Sequence, residues 1–186
     1  GPTVLAAALK GIPTLIHEQN AYPGLTNQML ARVVDKIALT SSQASQYLNS
    51  SQKTVLTGNP VRPQILTKQR LAAYKELNLD PDRKVILVVG GSRGAKSINQ
   101  TLIDMYADLQ ATNWQVIHIT GDRDFDWVSK AAHKQGIEEL ETGDIRVKSY
   151  LYNMEAALAA ADLIVSRAGA TMLAEINACG LPAILI

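Results

Sequence analysis

The chain has 186 residues, 47% apolar and 19% charged, which is enough length for one or two domains and enough apolar side chains to bury a core, and it excludes a disordered protein. Lys and Arg number 18 against 17 acids, a net charge of +1, so there is no excess of positive charge to hold nucleic acid by its phosphates. The single cysteine, Cys179, excludes an intramolecular disulfide; its apolar helical setting reads as a buried, inert thiol and suits a reducing cytosol.

The opening "VLAAALKG" reads as a helix stopped by Gly11, without the basic lead of a secretion signal, and no apolar run approaches the roughly 20 residues that span a bilayer. The chain begins inside this helix and ends on the apolar run "GLPAILI", so it reads as a piece of a longer protein. Short runs rich in Val, Ile and Leu then recur as expected strands at 13–16, 36–40, 53–58, 84–89, 115–120, 145–149, 162–166 and 182–186. Segments of helical period separate them, which is the signature of βα units on parallel sheets. Eight strands exceed one small sheet's usual share. Between the third and fourth, "GNPVRP" carries Pro60 and Pro63, which stiffen the chain and remove ladder donors. The boundary is drawn there: residues 1–62 are the end of one Rossmann-like domain, and residues 63–186 are a second, incomplete one.

The polar and glycine-rich clusters "HEQN", "GNPVR", "GGSRGA", "TGDRD", "YLYNM" and "RAGAT" each follow an expected strand. In open parallel sheets ligands bind beyond the carboxyl ends of the strands, where loop amides and helix N-termini converge. The unusual chemistry of this chain therefore gathers along one rim.

"KVILVVGGSRGAKSIN" is strand, glycine turn and helix start. A Walker A loop requires glycine where Ala95 stands, and a dinucleotide fingerprint requires glycine where Val89 stands. What remains suits one phosphate group of a nucleotide, although a tight strand-to-helix turn without a ligand accounts for the same residues. "DLIVSRAGATMLAEINACGLPAILI" repeats the unit, with Gly180 as helix stop and Pro182 beyond it. Thr171 and Glu175 are four apart and share a helical face. A carboxylate there repels phosphate but accepts two hydrogen bonds from a ribose diol; the alternative is a solvated Glu completing a helix dipole. "HEQNAYPGLTN" places His17, Glu18, Gln19 and Asn20 in a row just past the first strand, more hydrogen-bonding groups than a turn requires. His17 beside Glu18 can serve acid–base chemistry, and no second His or Cys lies at metal-ligand spacing. His118, inside a strand, and His133, in a polar helix, read as structural or solvated.

"HEQNAYPGLTN", "GNPVR", "GGSRGAKSIN" and "SRAGATMLAEINACGLPAILI", in this order and spacing over essentially the whole chain, closely resemble the MurG family of peptidoglycan N-acetylglucosaminyltransferases. The resemblance implies a GT-B fold of two Rossmann-like domains. It also implies inverting transfer of N-acetylglucosamine from UDP-N-acetylglucosamine to the 4-hydroxyl of a lipid-linked muramyl-pentapeptide, at the cytoplasmic face of the bacterial membrane, with no cofactor and no bound metal. By the same resemblance Asn20 and Arg62 contact the donor, and Gly91, Ser92 and Gly94 meet its diphosphate. Leu151 forms the uracil environment, Gly169, Ala170, Thr171 and Met172 line the second donor turn, and Glu175 binds the ribose hydroxyls. Arg62 joins the loop amides in holding the charge of departing UDP. Leu9, Lys10, Arg32 and Lys36 are assigned to the membrane-facing side.

The chain departs from the pattern in three places. The family's first glycine-rich loop, with the His proposed as general base, is expected ahead of Gly1, and a Gln that grips the donor sugar is expected beyond Ile186. The chain alone is therefore expected to be inactive. Met172 stands where the family carries a donor-binding Thr. His17 is then a secondary acid–base candidate, ranked below a positioning role.

Overall fold

The computed structural model describes residues 1–48, 51–91 and 93–186, with the backbone alone at Ser51. They form two compact units, Gly1–Pro60 and Val61–Ile186.

The first unit runs α1 (Pro2–Leu9), β1 (Leu15–Glu18), α2 (Leu25–Leu30), β2 (Lys36–Leu39), two 3₁₀ turns (Ser42–Tyr47 and Ser51–Lys53) and β3 (Thr54–Leu56). The strands are parallel in the order β1-β2-β3, with Leu15 opposite Lys36 and Glu18 opposite Leu39. Ile16, Leu30, Val34, Ile37 and Leu39 form its core, and α1 buries none of its residues. The first strand is displaced two residues from the expected 13–16. Pro13 has no N–H to give a ladder, and Thr14 is taken by another partner: its N–H and its hydroxyl both donate to Asp35 Oδ2, at 2.7 and 3.0 Å. These donors hold the Asp35 carboxyl below its usual range. Pairing therefore starts at Leu15, and His17 and Glu18 end the strand instead of following it.

The second unit runs α3 (Pro63–Thr67), α4 (Arg70–Glu76), β4 (Lys84–Val89), α5 (Lys96–Asp104), α6 (Tyr106–Gln110), β5 (Trp114–Ile119), α7 (Phe125–Lys134), β6 (Ile145–Lys148), α8 (Met154–Ala160), β7 (Leu163–Ser166), α9 (Ala170–Cys179) and β8 (Ala183–Leu185). All five strands are parallel, in the order β6-β5-β4-β7-β8. Successive side chains of a strand face opposite sides of the sheet, and both sides here are covered. Val85, Leu87 and Val89 pack with α3, α4, α8 and α9; Val88 packs with α5, α6 and α7. This is why β4 reads as an unbroken apolar run. From β4 the chain steps outward to β5 and β6, then returns through α8 to β7 on the other side. The direction of winding thus reverses between β4 and β7, the place where doubly wound sheets open a crevice. α9 ends as its sequence suggests, with Gly180 at φ +62°. Among the described residues no helix is long and apolar enough to cross a membrane.

Candidate functional site

The crevice between β4 and β7 is present. A cavity of about 400 Å³ is lined by Val89, Gly90 and Gly91 from the end of β4, by Ser166 to Gly169 from the end of β7, and by Met172 and Ile186. Two turns far apart in sequence therefore share one space, because β4 and β7 are hydrogen-bonded neighbours whose registers end together, Val89 opposite Ser166. Of the residues expected at the first turn, Gly91 lines the cavity and Ser92 lies outside the described residues. Gly94 does not line it. At φ +76°, a Cβ on Gly94 would lie 2.2 Å from the Thr120 carbonyl oxygen, and a Cβ on Gly121, at φ +80°, would lie 2.2 Å from Gly94 N. Gly94 and Gly121 are there because two backbones touch, and Gly94 spends its own N–H on Gly91 O at 2.9 Å.

At the second turn, Gly169 and Met172 line the cavity, whereas Ala170 opens α9 and Thr171 is exposed. Arg167 also lines it and is exposed. Sequence reading passed over Arg167. Its signal was its position directly after a strand's carboxyl end, the same place that Gly90 holds after β4.

Glu175 sits one helical turn beyond Met172 and is 7% exposed. Burial pushes its carboxyl above the usual range, and the Arg62 guanidinium, with Nε 3.9 Å from Oε1, pulls the other way. Arg62 is the N-cap of α3, with a side chain 53% exposed. A largely buried carboxylate facing one cation at this distance still has acceptor capacity for a pair of hydroxyls. Leu151 is 7% exposed and belongs to the core of the second unit. Cys179 is half-buried, where full burial was expected, because α9 leaves its last turn open; burial and then Glu175 push its thiol up. His118 is fully buried, and His133 bonds Ile137 O through Nδ1.

In the first unit the organising group is Glu18, which sequence reading did not assign. It is 2% exposed and ends β1. Its Oε1 accepts from the backbone N–H (2.9 Å) and side-chain amide (3.1 Å) of Asn20. Its Oε2 accepts from the Gly24 N–H (3.0 Å) and the Asn27 amide (2.9 Å). Burial raises its carboxyl, but these four donors together outweigh burial and hold it below the usual range. Asn20 is exposed, with its amide oriented by Glu18. His17 Nε2 lies 3.2 Å from both Gly58 O and Thr40 Oγ1, an arrangement that ties the strand ends together and does not leave a free base.

The family profile described as "Glycosyltransferase family 28 C-terminal domain" matches residues 85–186, and that described as "Glycosyltransferase family 28 N-terminal domain" matches residues 1–39. The chain belongs to glycosyltransferase family 28. Two relatives are UDP-N-acetylglucosamine–N-acetylmuramyl-(pentapeptide) pyrophosphoryl-undecaprenol N-acetylglucosamine transferases. The protein of Halothermothrix orenii is 47% identical over the whole chain and 51% of its own length, and that of Desulforamulus reducens 44% over the whole chain and 50% of its own length. The crystal structure of MurG from Acinetobacter baumannii is similar at a TM-score of 0.63 and 29% identity, covering all of this chain and 49% of that one. The chain spans about half the length of these relatives. The likeness to MurG carried by four short motifs thus extends along all 186 residues of this family 28 chain.

Proposed function

We propose that this chain carries the donor side of an inverting, metal-independent transfer of N-acetylglucosamine from UDP-N-acetylglucosamine to the 4-hydroxyl of an undecaprenyl-diphosphate-linked muramyl-pentapeptide. The observation that carries the proposal is the single cavity shared by the Gly90–Gly91 and Arg167–Gly169 turns, with the buried Glu175 one helical turn away. The diphosphate lies in that cavity, against the backbone of Gly91 and the start of α9, where peptide dipoles favour negative charge. Glu175 accepts from the two ribose hydroxyls, and Arg62 beside it opposes in part the upward push that burial gives the carboxyl. As the sugar–phosphate bond breaks, charge grows on the departing UDP. Arg167 is the cation that lines the cavity, so it takes the larger share of that charge and Arg62 the smaller. The acceptor hydroxyl needs a base, and His17, held by Gly58 and Thr40, serves better as a positioning group that ties its strand end to the neighbouring ones. Because the acceptor is lipid-linked, the enzyme works at the cytoplasmic membrane surface as a peripheral protein.

Calorimetric titration of UDP-N-acetylglucosamine into the wild-type chain and into Glu175→Ala tests this reading. The expected loss is about ten-fold in affinity, the order of one hydrogen bond to a charged group. ATP with Mg²⁺ binding as tightly as UDP, or equal donor affinity in the two proteins, overturns it.

A further inference from the structure

The helix that follows the glycine turn carries a polar side chain sealed from solvent. Asn99, on α5, is 0% exposed, and its Nδ2 donates to Thr120 O at 3.0 Å and to Asp124 Oδ2 at 2.8 Å. The reversed amide would set its oxygen against a carbonyl and a carboxylate, so the orientation is determined by its partners. With both N–H donors committed, the amide offers only Oδ1, which lies 2.9 Å from His118 Nε2. That nitrogen therefore carries a hydrogen. His118 is itself 0% exposed, and burial pushes its imidazole down to about 3, so the ring is neutral and Nδ1 is an acceptor. Tyr106 Oη, 2.6 Å away and equally buried, fills it. The direction of every hydrogen bond follows: Tyr106 to His118, His118 to Asn99, Asn99 to the turn that begins at Thr120.

This chain of side chains ends on the turn whose backbone closes on Gly94 without room for a methyl group. The place of the 120–124 turn sets the place of Gly94, and Gly94, bonded to Gly91 O, sets the place of the cavity wall. None of Tyr106, His118 and Asn99 lines the cavity.

We propose that Asn99 and His118 are positioning residues for the diphosphate: through the Nε2–H tautomer of His118 and the two donors of Asn99, they hold the 120–124 turn against Gly94 and so fix where Gly91 meets the ligand. This role rests on the UDP reading given above. It separates the phosphate turn from the ribose contact, since Glu175 belongs to α9 and takes no part in the chain.

Affinities for UDP and for uridine, measured on the wild-type protein, Asn99→Leu and His118→Leu, test the proposal. UDP affinity falls about ten-fold in both variants, the loss expected for one misplaced hydrogen bond to a charged oxygen, while uridine affinity changes less than about two-fold. Equal losses for the two ligands mean general damage and overturn the positioning role, as does no loss for either. A wild-type protein that binds uridine no more weakly than UDP defeats the nucleotide–phosphate reading itself, and the positioning role falls with it. Should both variants fail to fold, ¹⁵N-resolved imidazole spectra of the wild-type protein still decide: His118 carries its hydrogen on Nε2, and a hydrogen on Nδ1 overturns the proposal.

Discussion

In the first unit the loop after β1 hangs on an ionised carboxylate; in the second the glycine turn after β4 is held by a chain of neutral side chains ending on Asp124. Glu18 collects two backbone N–H groups and two amide side chains. The groups to be anchored there are donors, so an anion is the economical anchor and four hydrogen bonds offset its desolvation. In the second unit the groups to be anchored are acceptors, the Thr120 carbonyl and the Asp124 carboxylate. A buried Lys would answer them only with a large desolvation cost. A neutral amide avoids that cost but must be prevented from turning over, which is the work of His118 and, behind it, Tyr106. The polarity of the loop decides the chemistry of its anchor.

The largest effect expected from breaking this contrast is steric. Gly94→Ala puts a Cβ into the Thr120 carbonyl at a positive φ, and should cost about 3 kcal/mol or more in the second unit's unfolding free energy. Gly24→Ala alters a residue whose N–H also serves its anchor, but at φ −63° and with open space it should stay within about 0.5 kcal/mol. Similar losses for the two would show that the backbone contact at Gly94 is not tight.

Glu18→Gln comes next, because it sets an amide N–H₂ among four donors. A loss of about 2–3 kcal/mol is expected, together with faster hydrogen exchange at the Asn20 and Gly24 amides. Unchanged exchange there would remove Glu18 from its role.

Acid separates the two anchors by sign and window. His118 titrates near the ordinary 6.5 when unfolded and at about 3 when folded, so the unfolded chain binds the extra proton and stability falls as pH drops from about 6.5 towards 3. Between pH 7 and pH 5 the second unit should lose about 2 kcal/mol on this account. Glu175, pushed up by burial, acts in the opposite sense, so the comparison is made in a Glu175→Gln background. Glu18, held low, contributes stability that is present above about 4.5 and is lost only as pH falls through its lowered value. The protection factor for exchange at Asn20, corrected for the intrinsic pH dependence, should therefore hold at pH 5 while that at Asn99 falls. Simultaneous loosening would refute the distinction.

The smallest effect is at the far end of the neutral chain. Tyr106→Phe deletes one donor to His118 Nδ1 and should cost about 1 kcal/mol, with UDP affinity reduced less than in Asn99→Leu.

All eight strand runs, their parallel pairing and the glycine turns were legible in the linear sequence, because apolar period and turn chemistry are local properties. The site was legible in part. Gly91, Gly169 and Met172 were named and do line the cavity, while Arg62, Gly94, Leu151, Ala170, Thr171 and Glu175 were named and do not. Arg167 was passed over. Glu18 was quoted within its motif but left without a role, since a displacement of the first strand by two residues is decided by Thr14 pairing with Asp35, 21 positions away. Asn99, His118 and Tyr106 have nothing in their spacing that marks them as a set.

What the sequence determined by itself is the inventory: which segments are strands, which turns need glycine, and which polar residues stand after each strand. Only the tertiary structure decided how these meet: that β4 and β7 are neighbours and open one cavity, that Gly94 faces Gly121, that Arg62 faces Glu175. Such pairings follow from sheet order and from the packing of helices on two faces, which sum weak contacts over the whole unit and leave no trace in any single window of residues.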